Sequence, residues 1–134
     1  MTVRQSVIIL VAGLFFPFSA IADEQIPIKN VSELKGKWAG PGGIGPFGQT
    51  AGASVEYSIK DDGTYTGVLT TRSNQRVNFQ GTFEPKPDGS ASVSSTGSTA
   101  TWRLFNVNGN RVLRIEGRNR STGQSNWGEA TEVK

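Results

Sequence analysis

The chain has 134 residues, 17 of them glycine and 19% of them charged, with a formal net charge of +3 at pH 7. That length suits one domain, and so much glycine argues against a helical bundle. Histidine and cysteine are both absent, which excludes Ser-His-Asp and Cys-His catalysis, imidazole and thiolate metal sites, disulfides and thiol redox chemistry.

Residues 1–22 read as a signal peptide. Arg4 precedes a largely apolar run from Ser6 to Phe18, and Ala20-Ile21-Ala22 supplies the small-x-small pattern read by signal peptidase. The run contains Gly13 and Pro17 and falls short of the roughly 20 residues a helix needs to span a bilayer. Cleavage after Ala22 is therefore expected, leaving an exported product, periplasmic or extracellular, without stable membrane insertion. No cysteine follows to take a lipid.

Residues 23–35 are expected to form a polar N-terminal arm and a short helical turn, with Ser32 as its cap and Gly36 as its end. Residues 36–134 form the barrel domain. Residues 37–40 are a first strand, and residues 53–60 alternate cleanly, with Val55, Tyr57 and Ile59 on one side. Asp61-Asp62-Gly63 is hairpin-turn chemistry, after which residues 64–71 resume with Tyr65 and Leu69 on one face. Residues 75–84 place Val77, Phe79, Gly81 and Phe83 inward. Pro85 to Gly89 breaks the chain before a weak strand at residues 90–95. Residues 99–107 carry Trp102, Leu104, Phe105 and Val107, and Asn108-Gly109 marks the next tight turn. Residues 112–119 set Leu113, Ile115 and Gly117 inward, and residues 126–133 close the chain.

Eight short strands in succession favour an all-β, eight-stranded antiparallel up-and-down β-barrel, since closure removes unpaired edges. Such a barrel has room inside for side chains or for one small ligand.

Among motifs, Gly43, Gly45 and Gly48 fit G-x-G-x-x-G, but Pro46 sits inside it and no βαβ unit surrounds it, so no dinucleotide site is expected. Residues 40–52 read as a glycine-rich loop at the barrel mouth, displaying Ile44 and Phe47. Trp38, Tyr57, Tyr65, Phe79, Trp102 and Trp127 are the candidate ligand-binding aromatics. The late arginines, Arg103, Arg111, Arg114, Arg118 and Arg120, read as the wet face of a sheet and not as a nucleic-acid surface. Neither a catalytic carboxylate pair nor a calcium loop is present, and no cofactor or metal is expected. Two sequons, at Asn30 and Asn119, matter only in a eukaryotic secretory path.

The stretch Val31-Ser32-Glu33-Leu34-Lys35-Gly36-Lys37-Trp38, a helical turn leading into Gly-x-Trp, resembles the opening of calycin-type barrels: lipocalins, avidins and bacterial metalloprotease inhibitors with an avidin-like barrel. The resemblance implies that Trp38 closes one end of the barrel and that a small ligand occupies the interior. Lipocalins pack a basic side chain from the end of the barrel over this tryptophan. Residues 126–133 contain no arginine, leaving Lys134, Arg118 or Arg120 as substitutes. The inhibitors insert their N-terminal arm into a protease cleft, the role residues 23–30 would take, but their usual cysteine pair is missing here. The expected function is that of a non-enzymatic binding protein for a small apolar or aromatic molecule. The alternatives are a protein-interaction module, such as an inhibitor of a secreted protease, and a small outer-membrane barrel.

Overall fold

A side-chain period of two forces each segment to bury one face, and the chain satisfies that demand by wrapping its strands into a cylinder. The computed structural model describes residues 23–134 apart from Thr50, with Ala51 described by its backbone alone. The expected signal peptide, residues 1–22, lies outside the described residues. In chain order the elements are β1 (Glu24–Ile26), a 3-10 turn (Val31–Leu34), β2 (Gly36–Ile44), β3 (Ala51–Ile59), β4 (Thr64–Thr70), β5 (Arg76–Pro85), β6 (Ala91–Ser95), β7 (Ser98–Val107), β8 (Asn110–Asn119) and β9 (Ser125–Glu132).

From β2 to β9 each strand pairs antiparallel with the next, and β9 returns to β2 with Gly128 opposite Gly42 and Glu132 opposite Trp38. The result is the closed eight-stranded barrel expected from the alternation. The hairpin signals act as their chemistry dictates. Asn108 and Gly109 both adopt positive φ, 53° and 85°, the backbone that a two-residue turn between twisted strands requires. Asp62 Oδ1 accepts from the Thr64 amide at 3.0 Å and its hydroxyl at 2.7 Å. Asp88 does the same for Ser90. These hydrogen bonds hold both carboxyls below the usual aspartate range.

The polar arm differs from expectation. Strand β6 is short and covers only the first half of β7, pairing Ala91 with Trp102 and Ser95 with Ser98. The other half of β7 would be an open edge. Strand β1 takes that place, with Ile26 opposite Leu104 and Glu24 opposite Asn106. The Ile28 amide then donates to the Gly89 carbonyl at 2.9 Å, and the Ile28 side chain enters the core. Residues 23–30 are thus wall, not tether. The turn that follows is also capped differently: Asn30 stands at its N-cap, Ser32 lies inside it, and Glu33 reaches back to the Lys29 amide at 3.1 Å.

Inside, one cluster runs from Ile28 and Leu34 through Trp38, Tyr57, Tyr65, Phe83 and Trp102 to Leu113 and Ile115. Outside, Lys37, Glu56, Gln80 and Glu116 are exposed. Val77, expected inward, is 49% exposed because it lies at the rim, where the barrel no longer has a layer above it to bury against.

Candidate functional site

The two ends of the barrel are built differently. At the end where β2 begins, the 3-10 turn lies across the opening and drives Leu34 into it, fully buried. Trp38 lies beneath at 0% exposure, its Nε1 donating to the Leu34 carbonyl at 2.9 Å. The guanidinium of Arg111 sits 5.3 Å from the centre of the Trp38 ring, a cation–π contact. Its Nη2 donates to the Glu33 carbonyl at 2.6 Å, and Nε lies 3.7 Å from Glu132. Trp38 therefore closes one end, as the calycin resemblance implies, and does not line the cavity described below. The basic side chain over it is Arg111, at the start of β8. Arg118 lies near the far end of the same strand and Arg120 just past it, on the side of the open end, and Lys134 is exposed at the terminus.

At the opposite end no element among the described residues lies across the barrel, and a cavity of about 640 Å³ opens there. Its floor is aromatic. Tyr65 meets Trp102 at 4.9 Å between ring centroids, Tyr57 meets both Trp102 and Phe79 edge-on at 5.5 Å, and Phe83 supports Trp102 from below at 5.0 Å. Edge-to-face packing of this kind fixes ring positions beyond what burial alone achieves. Gly67, opposite Tyr57 on one side and Phe79 on the other, is what permits it. A Cβ at that position would lie 2.3 Å from the Phe79 ring. Val55, Leu69, Val93, Ala100 and Ile115 form the walls, and Asn78, Asn119, Gln124 and Asn126 stand around the mouth.

Of the six candidate aromatics, Tyr57, Tyr65, Phe79 and Trp102 thus come together on the cavity floor; Trp127 also borders the cavity but does not join that cluster, and Trp38 lies at the closed end. Strand β9 turns its small residues inward: a Cβ at Gly128 would touch Val55 and Ile115, and Ala130 is fully buried in the core. By parity Trp127 faces outward, opposite Glu116, so its ring lies outside the core cluster although it is nearly buried. The glycine-rich segment is what covers it. Residues 40–44, expected to be loop, continue β2. Residues 45–49 then fold back along the outer wall, helped by positive φ at Gly45 and Gly48. Phe47 packs on Trp127 at 5.2 Å, and the indole Nε1 donates to the Gln49 carbonyl at 2.5 Å. Arg114 lies between Phe47 and Phe105, at 5.6 and 4.4 Å, and is ion-paired with Glu129 at 3.0 Å and with Asp23. Ile44 does stand at the mouth, 51% exposed. Phe47 does not, because the outward indole needs an apolar cover and an acceptor. Phe47→Ala is expected to shift Trp127 emission to the red and to lower stability by about 1 kcal/mol, measured by fluorescence and denaturant titration.

The cavity contains two phenols, the only tyrosines of the chain. Burial pushes the Tyr57 hydroxyl far above the usual phenol range, and the neighbouring Tyr65 adds to the shift. Burial raises Tyr65 as well, partly offset by a hydrogen bond from Ser95. Both remain neutral donors at physiological pH. Because these pKa values rise on folding, the associated stability is intact below about pH 10 and is lost as pH climbs above it. Ultraviolet titration of phenolate absorbance should therefore show ionisation delayed beyond the ordinary tyrosine range, with Tyr57 ionising as the barrel unfolds. An ordinary two-tyrosine titration curve would contradict this burial.

Among the described residues no group of three or more acidic side chains is placed to hold a metal ion. No protein-family model matches the chain, and no curated protein matches it.

Proposed function

We propose that the protein is an exported, non-enzymatic β-barrel that binds one small apolar or aromatic molecule at its open end. The observation that carries this reading is the 640 Å³ cavity floored by Tyr57, Tyr65, Phe79 and Trp102. Its volume falls within the ~300–1,000 Å³ of small-molecule sites, and it combines apolar walls with a few convergent polar groups. A ligand entering it removes apolar surface from water on both partners, at roughly 25 cal/mol per Å². The two neutral phenols supply donors for an acceptor group that reaches the floor.

Two competing readings find less support. A protease inhibitor that deploys residues 23–30 would have to strip β1 from β7 and pull Ile28 from the core. An outer-membrane barrel needs a lipid-facing apolar band, whereas Lys37, Glu56, Gln80 and Glu116 stand on the outer face here.

The test is titration of the processed protein with the neutral dye N-phenyl-1-naphthylamine. Saturable enhancement of dye emission at one dye per chain is expected, with a Kd on the order of 1–10 µM and quenching of tryptophan emission through Trp102. A flat response across this dye and a panel of aromatic metabolites would overturn the reading.

A further inference from the structure

We propose that the ligand is an amphiphilic anion, a molecule with an apolar body and a single carboxylate or comparable acidic head, whose head is received at the mouth by Arg72. The proposal rests on the cavity being the binding site and adds the charge of what enters it. Two independent observations carry it.

The first is the distribution of charge along the barrel axis. None of the eleven acidic residues of the chain lines the cavity, and none lies in the loops around its mouth, residues 71–75, 96–97 and 120–124. They stand on the outer wall, on β1, and in the turns and strand ends of the closed end. Arginines occupy the mouth instead. Arg72 lines the cavity, Arg76 begins β5 at that end of the barrel, opposite Thr70, and Arg118 and Arg120 stand where β8 gives way to the β8–β9 loop. The partners of the last two are neutral: Arg118 donates to the Gly123 carbonyl at 2.8 Å and Arg120 to the Ser94 hydroxyl at 3.1 Å. Their charge therefore adds to the field at the entrance, where low-dielectric walls weaken screening. An ammonium group arriving here meets only like charge, while a carboxylate meets its counter-ion.

The second is the seat of Arg72. Its guanidinium lies directly on the backbone of Gly52, so close that a Cβ there would fall 2.6 Å from Nε and 2.8 Å from Nη2. The bare backbone of Gly52, the second residue of β3, thus leaves room for the arginine at the cavity wall, among lining residues that include Leu69, Val77 and Ala53. A planar fork held in this way matches a carboxylate geometrically as well as electrostatically. An alkyl or aryl body of a dozen or so heavy atoms would extend from it to the aromatic floor.

The experiment is displacement of N-phenyl-1-naphthylamine at pH 7 by three ligands of matched length: dodecanoate, dodecan-1-ol and dodecylammonium. Dodecanoate is expected to displace the dye at a concentration at least tenfold below either of the others at low ionic strength, with the advantage shrinking in high salt. Arg72→Gln should bring the three to within about twofold of one another, each displacement being referred to the variant's own dye affinity, and Arg72→Lys should retain part of the preference. Equal displacement by all three in the parent protein would overturn the charge assignment and leave the cavity reading standing. A preference that persists in Arg72→Gln would overturn the role given to Arg72. Absence of dye binding altogether would overturn the cavity reading, and this inference with it.

Discussion

Trp38→Ala is expected to lower stability by about 3–5 kcal/mol, the cost of replacing a fully buried aromatic side chain by a methyl group. For a domain of this size that corresponds to a fall in Tm of roughly 15 °C or more. The size of the effect follows from what depends on the indole. It fills the closed end at 0% exposure, its Nε1 satisfies the Leu34 carbonyl, and its face carries the Arg111 guanidinium. Removal leaves a cavity, an unpaired carbonyl and a cation without its aromatic partner. Trp38→Phe keeps most of the volume and loses the hydrogen bond, so a loss of only about 1–2 kcal/mol is expected. Thermal melts followed by circular dichroism measure both. Because Trp38 lies at the opposite end from the cavity, dye affinity measured well below the transition should be unchanged in either variant. A Tm for Trp38→Ala close to the parent value would contradict the closed-end packing, and weakened dye binding at low temperature would mean that the two ends are coupled.

Ala100→Trp is expected to reduce dye affinity at least tenfold with the barrel intact. Ala100 lies on β7 between Val93 and Gly117 and faces the cavity one inward step above Trp102. An indole there fills space that is empty in the parent, so the overpacking cost of about 1–3 kcal/mol seen in well-filled cores sets an upper limit on destabilisation. Dye titration and thermal denaturation of the same sample separate the two effects. Undiminished affinity in a folded variant would place the dye elsewhere, the outer cluster around Phe47 and Trp127 being the nearest alternative apolar surface.

How much of this was legible in the chain varies with the physical signal each residue carries. Strands β3, β4, β5 and β8 announce themselves through alternation, and Asp61-Asp62-Gly63 and Asn108-Gly109 mark their turns through backbone chemistry that few other residues tolerate. The second half of β2 carries no such signal. Gly40, Gly42 and Gly43 have no side chains with which to alternate, and their strand is held by pairing with β9, a long-range contact that no local pattern reveals. Strand β1 is three residues of mixed polarity whose place is decided by the shortness of β6, half the chain away.

The candidate site divides along the same line. Tyr57, Tyr65 and Phe79 sit at inward parity on strands with clear alternation, so the period alone puts them on one face, whereas Arg103 interrupts the pattern around Trp102 and leaves its face ambiguous in the sequence. Trp127 is legible only in part: it borders the cavity, but its ring packs against Phe47 outside the core cluster. Gly128 and Ala130 are the inward pair of β9, and Val55 and Ile115 fill the space before Gly128. The small residues on the other parity were a signal available in the sequence. Arg111 could not be found that way: its contact with Trp38 joins positions remote in sequence, and only the closed barrel brings them to 5.3 Å.

The account stands or falls on a ligand lying inside the barrel and above the aromatic floor. Nuclear Overhauser contacts between bound N-phenyl-1-naphthylamine and the methyl groups of the labelled protein test this most directly. Contacts to Val55, Val93 and Ile115, which point into the cavity, are predicted, with none to Val112 or Val133 outside it. Contacts confined to Val112 and other outer-face groups, with the interior methyls silent, would contradict it.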